Sequence, residues 1–209
     1  MTIIIEKKCI VEDKYGFRRI AFRLCDQAKK GLHFILASII IWSILVIIHL
    51  TLLPALTKNL LNFCATAPLM PLAFLISKII KADFQSKENP LTNLGILFSL
   101  NQMIYLLIAM WIYPTIPEKM LMVIAIIFGG HLLPYGWLYK STSYTVLSIL
   151  IPILSLAIGI KFQPYILASM MLLLEILFSI SLIIENKKCY TKMYLYIINL
   201  QDINELLYL

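Results

Sequence analysis

Glu175 is the one acidic residue that stands well inside a long apolar run of this sequence, in MMLLLEILFSI. His131 stands in a second such run, in IIFGGHLLPYGWLY, and Asn101, Gln102 and Tyr105 stand in a third, in FSLNQMIYLL. A carboxyl and an imidazole brought together can pass a proton or hold a small polar ligand or ion. Flanking amides and a phenol can orient what is held. The same groups can instead form a hydrogen-bonded clasp that fixes how helices are registered. Both readings require the side chains to meet. A charged Glu175 in hydrocarbon costs at least ~2.5 kcal/mol by the values for other charged residues on insertion scales, so it must find a partner or give up its charge.

The elements that would carry these residues are membrane helices. Of the 209 residues, 61% are hydrophobic and 14% charged, against about half and a quarter in soluble domains. That is more apolar surface than one soluble core hides, so the excess belongs in lipid. Apolar runs of ~20 residues match a hydrocarbon core of ~30 Å, and six can be drawn: 32–53, 60–80, 91–113, 119–139, 144–160 and 164–184. The expected fold is an all-α, polytopic six-helix bundle. Residues 1–31 precede it. There Phe17, Ile20, Ala21 and Leu24 alternate with Arg18, Arg19 and Arg23 as a basic amphipathic segment on the membrane surface. Residues 185–209 follow as a polar tail, with Tyr196, Leu200, Ile203 and Leu207 at helical spacing.

Centring the runs places Asn101, His131 and Glu175 within roughly one helical turn of each other in depth, at 1.5 Å per residue. Helix breaks are expected at Pro68 and Pro71 in the second run, each of which removes a backbone bond. Another is expected at Gly129, Gly130 and Pro134 in the fourth, concentrated at His131. Three small-xxx-small pairs, Gly95/Ser99, Ala125/Gly129 and Ser155/Gly159, predict close packing of the third, fourth and fifth spans within one chain. His33 and His49 fall near the two ends of the first span and read as interfacial.

The formal charge of +7 fits topology signals and anionic headgroups rather than nucleic acid, because the basic residues flank the apolar runs. Fifteen Lys and Arg fall on one side of the six spans and three, Lys58, Lys119 and Lys161, on the other. The positive-inside rule then puts both termini in the cytoplasm. The four cysteines, Cys9, Cys25, Cys64 and Cys189, form no CxxC pair and no metal spacing. No metal or cofactor is implied.

TAPLMPLAFLISKIIKADF (Thr66–Phe84), NPLTNLGILFSLNQMIYL (Asn89–Leu106) and MVIAIIFGGHLLPYGWLYKS (Met122–Ser141) resemble a domain-of-unknown-function family of small polytopic membrane proteins from Gram-positive-type bacteria. The resemblance covers roughly residues 30–160 and implies a bacterial inner-membrane protein. It brings no activity and no catalytic residues.

The spans hold no aspartate pair for intramembrane proteolysis. HExxH, G-x-S-x-G and phosphate-loop motifs are absent, and the short outer loops leave no room for a catalytic domain. Catalysis is therefore not the expected activity. Three classes remain: a small permease with a polar midplane site, which is the leading expectation; a non-catalytic regulator or assembly subunit working through its cytoplasmic ends; and a lipid-modifying enzyme. A permease needs Glu175, His131 and Asn101 to converge on a cavity. A regulator needs them closed inside the bundle.

Overall fold

Proline and glycine decide where the apolar runs cease to be continuous helix. The computed structural model describes residues 29–83 and 90–207. Its helices are α1 (Leu32–Leu50), α2 (Ala55–Thr66), α3 (Leu69–Ile80), α4 (Pro90–Thr115), α5 (Met120–Gly130), α6 (Leu132–Leu138), α7 (Thr142–Lys161) and α8 (Pro164–Leu207). No strand occurs among the described residues. Among the described residues, six segments are long and apolar enough to cross a membrane: Lys29–Leu50, Ala55–Ile80, Leu91–Thr115, Pro117–Leu138, Thr142–Lys161 and Pro164–Cys189. The protein is a multi-pass, all-α bundle, as composition predicts.

The second span is α2 followed by α3, broken at Ala67–Pro68. Pro71 makes no second kink. It lies in the first turn of α3, where its missing N–H would have had no partner. The fourth span is α5 followed by α6, and the break falls at His131. Pro134 sits in the first turn of α6, for the same reason as Pro71. Pro114 does not end the third span either, since α4 runs through it to Thr115.

The last span and the polar tail expected after residue 184 are one continuous helix to Leu207. From Tyr165 onward the sequence holds neither Pro nor Gly, and α8 is a single helix of 44 residues, about 66 Å long at 1.5 Å per residue. The side chains of Tyr196, Leu200, Ile203 and Leu207 lie outside the described residues, as do the basic segment around Arg18 and residues 84–89 of the loop after α3.

α1 packs most extensively on α8 and then on α3, while α5 packs on α7. Trp42, Leu45, Leu121, Met171 and Phe178 lie at the centre. The small-residue pairs face neighbouring spans. A Cβ on Gly129 would lie 2.5 Å from Pro152 Cδ and 2.7 Å from Ile151 Cγ2, so α5 and α7 touch through a bare backbone. Gly159 meets Met122 in the same seam. Gly95 and Ser99 receive the Tyr135 hydroxyl of α6, which lies 2.6 Å from Ser99 Oγ and donates to the Gly95 carbonyl at 3.1 Å. α4 is otherwise peripheral, and only 6% of its apolar window is buried.

Candidate functional site

The polar residues gather in several places. Their positions follow from which side of each helix they occupy, not from depth alone.

At the middle of the bundle, Glu175 of α8 is fully buried and faces α1. Ser38 Oγ donates to Glu175 Oε2. The same hydroxyl lies 2.8 Å from the Ile35 carbonyl, so one proton serves two acceptors. Glu175 Oε1 is buried with no hydrogen-bond partner. Ile41, Trp42 and Leu45 continue along α1 beyond Ser38 and are all buried in the apolar core.

The expected convergence of Glu175 with His131, Asn101, Gln102 and Tyr105 is not what the helix faces give. The His131 ring packs against Phe128 and Tyr135, at centroid distances of 5.3 and 6.0 Å. Among the described residues, no hydrogen bond joins it to Glu175. Asn101 is exposed and donates to the hydroxyl of Tyr105, 3.0 Å away and also exposed. Gln102 is half-buried. Equal depth does not bring side chains together when their helices turn different faces inward, and successive helical residues differ by about 100° in direction. Glu175 turns toward α1, a span the depth comparison left out. The first span begins at Lys29 rather than at residue 32, which brings Ser38 within about two residues of its middle. That shift of boundary is the signal that could have identified Ser38.

A second carboxylate, ten residues further along α8, sits at the end of the bundle where α1 begins, here termed the entry end. Glu185 Oε2 accepts from Lys30 Nζ at 2.8 Å and from Ser141 Oγ at 2.6 Å. Oε1 accepts from the Ser143 backbone N–H at 2.9 Å and from Ser143 Oγ at 2.6 Å. Ser181 Oγ lies 2.5 Å from Ser143 Oγ. Because Ser143 gives its proton to the carboxylate, Ser181 is the donor in that pair. Asn186 Nδ2 donates to the Lys29 carbonyl at 3.0 Å, and Tyr144 OH to the Lys30 carbonyl at 2.9 Å.

The chain reaches these positions by a left-handed turn, with φ of 45°, 51° and 71° at Lys29, Lys30 and Gly31. Gly31 is needed there twice over. Its φ suits glycine, and a Cβ would lie 2.9 Å from Tyr144 OH. The start of α1, the α6–α7 connection and α8 are thus tied at one point. Lys29 Nζ adds the end of α3 by donating to the Ile80 carbonyl. Sequence reading missed this cluster because Glu185 and Lys30 each read as ordinary charges flanking a span.

At the far end, Asn62 Nδ2 lies 3.1 Å from His49 Nε2, and Asn59 Nδ2 donates to the Pro117 carbonyl at 2.8 Å. His49 and His33 were expected at the interface. Both are buried within the protein instead, His33 completely, because α3, α8 and α2 cover α1. A shallow depression formed by α1, α3, α4 and α6 is lined by Phe34, Gly95, Ser99, Tyr135 and Tyr139. Neither Glu175, His131 nor Asn101 lines it. No group of three or more His, Cys, Asp or Glu among the described residues could hold a metal ion.

A family model described as a family of unknown function, DUF7010, matches residues 22–185. No curated protein and no solved structure matches the chain significantly. The chain belongs to the DUF7010 family.

Proposed function

We propose that this member of the family is a non-catalytic component of a bacterial inner membrane, a regulator or assembly subunit that works through its entry end. The observation that carries the reading is the enclosure of Glu175. The one acidic side chain at the middle of the bundle is fully buried and bonded to Ser38 of the neighbouring span. His131 and Asn101, the other groups a midplane site would need, point elsewhere, and Asn101, exposed on α4, also lies outside the closed interior expected of a regulator. Polar residues here act between helices, at the midplane and at both ends. The entry end joins four elements at one point and continues into the remainder of α8, which extends past the last span at Cys189 to Leu207.

The orientation goes with the charge. Lys29, Lys30, Lys78, Lys81, Lys140, Lys187 and Lys188 belong to the entry end, against Lys58, Lys119 and Lys161 at the other. The positive-inside rule puts the entry end in the cytoplasm, against anionic headgroups.

The second reading is the permease, and the unpartnered Oε1 of Glu175 favours it. Buried ionisable groups in membrane spans mark ion or proton paths in many transporters. Complementation of a strain lacking the gene separates the two. A regulator loses function when residues 190–209 are removed and keeps it with Glu175→Gln. A permease gives the opposite pair of outcomes. A cysteine placed at Ser38 should resist water-soluble maleimide from either side of the membrane. Its rapid labelling would sink the closed-bundle reading.

A further inference from the structure

Between α3 and α4 the surface that faces lipid is hollow. α3 packs on α1, and α4 packs on α5 and α6. The two helices stand as walls, with α1 and α6 forming the floor of the depression. Met70 of α3 and Ile96 and Ser99 of α4 line the walls, and Phe34 and Tyr135 line the floor. The hydroxyls of Tyr135 and Ser99 are bonded to each other and to the Gly95 carbonyl. An occupant therefore meets carbon here rather than open polar groups.

The depression has the length of one leaflet and a charged mouth. Met70 lies near the middle of the span Ala55–Ile80. From Met70 to Ile80 the chain rises about 15 Å, half of a hydrocarbon core of ~30 Å. Met70, Phe74 and Lys78 recur at every fourth residue and share one face of α3. Lys78 Nζ lies 4.4 Å from the centroid of the Phe74 ring, and Lys81 directly follows the end of α3. Both lysines are exposed, and neither forms an ion pair among the described residues. From the midplane outward the wall runs from aliphatic to aromatic to cationic. A phospholipid has the complementary order, from acyl chain through ester to phosphate. On α8 an exposed stripe of Leu173, Leu177, Ile180 and Ile184 also ends in exposed lysines, Lys187 and Lys188. There the cations cap a single helix face, whereas at α3 they stand at the mouth of a depression.

We infer that the depression between α3 and α4 binds an anionic glycerophospholipid from the leaflet at the entry end. One acyl chain lies between Met70 and Ile96, and the phosphate meets Lys78 and Lys81. On the orientation proposed above, this is the cytoplasmic leaflet. The headgroup charge sets the choice of lipid. Phosphatidylcholine brings its own cation beside the phosphate, so the two lysines favour a headgroup of net negative charge. The inference is independent of the regulator reading, because lipid adjoins α3 and α4 in a regulator and a permease alike.

The test uses the full chain in vesicles of equal parts phosphatidylglycerol and phosphatidylcholine. One lipid or the other carries a trace of analogue with a diazirine on its acyl chain, and labelled peptides are mapped after illumination. Phosphatidylglycerol should label Met70–Phe74 and Gly95–Ser99 about tenfold more than phosphatidylcholine does, as two lysines near one phosphate allow. Leu177 and Ile180 of α8 should show a clearly smaller preference. Lys78→Gln/Lys81→Gln changes two exposed side chains and should lower the preference in the depression to that on α8. Free glycerol 3-phosphate should not compete. Equal labelling by the two lipids overturns the inference, as does equal preference in the depression and on α8. A preference that survives the double variant overturns it too. Competition by glycerol 3-phosphate would make the site one for a soluble anion. No label in the depression would mean that residues 1–28 or a second copy cover it, and either result overturns the lipid assignment.

Discussion

Two carboxylates stand ten residues apart on α8, and the protein treats them differently. Glu185 receives four donors, from Lys30, Ser141 and Ser143, and both of its oxygens are satisfied. Glu175 receives one, from Ser38, and its second oxygen has none. Near the end of a span a cation and the N–H groups of a helix start are at hand, and a charge can be fully paired. At the middle, neighbouring helices offer mostly apolar side chains, and a short hydroxyl is what α1 supplies. The difference teaches that the entry end is held by charge pairing and the middle by shape, with the Glu175–Ser38 bond adding orientation to a packed interface.

Removing Glu185 should break the comparison most severely. Glu185→Ala leaves Lys30 buried and unpaired at the junction of α1, α7 and α8, and such a loss costs about 3–5 kcal/mol. The double variant Lys30→Met/Glu185→Leu should recover much of it, because no charge is then stranded. Unfolding of the detergent-solubilised protein reads both. A single variant no less stable than the native chain would remove the basis for calling the entry end charge-held.

The packed middle is tested by Gly129. Gly129→Leu pushes atoms into Pro152 and Ile151, and overpacking of this kind costs about 1–3 kcal/mol or more. The expected result is low expression and polydisperse protein. A native-like elution profile for this variant would mean that α5 and α7 do not meet there.

Glu175→Gln should cost less than about 1 kcal/mol, within the net worth of one hydrogen bond. The amide can donate to Ser38 Oγ while Ser38 donates to the Ile35 carbonyl, so the bond persists without a charge. A loss as large as that of Glu185→Ala would show that the two carboxylates are alike after all. The smallest effect belongs to Gly130, one residue from Gly129. Nothing lies within 4 Å of a Cβ there, and Gly130→Ala should raise stability by about 0.5–1 kcal/mol through helix propensity. A thermal shift downward would place an unseen neighbour beside it.

Much of the fold was legible in the residues. Six apolar runs, the interruption at His131, the kink at Pro68 and the close approach at Gly129 all follow from local chemistry. Lipid demands apolar length, proline lacks a donor, and glycine lacks a side chain. The break expected at Pro71 does not form, because a proline matters only by its place in the turn, and the preceding break makes Pro71 a first-turn residue. The last helix runs on through the polar tail expected from residue 185, because no residue there stops a helix.

For the candidate site the sequence offered an expectation of depth alone. It predicts similar levels for Glu175, His131 and Asn101, because rise per residue is fixed and each span has two ends. It could not determine their directions, since rotation of a helix about its axis depends on which neighbours it packs against. Tertiary structure decided that Glu175 meets Ser38, that His131 lies among aromatic rings, that Asn101 faces outward and that Lys30 pairs with Glu185 across 155 positions of chain. Those choices belong to the packing of α1 against α8 and of α5 against α7, where fit between whole helix faces outweighs the preference of any single polar residue.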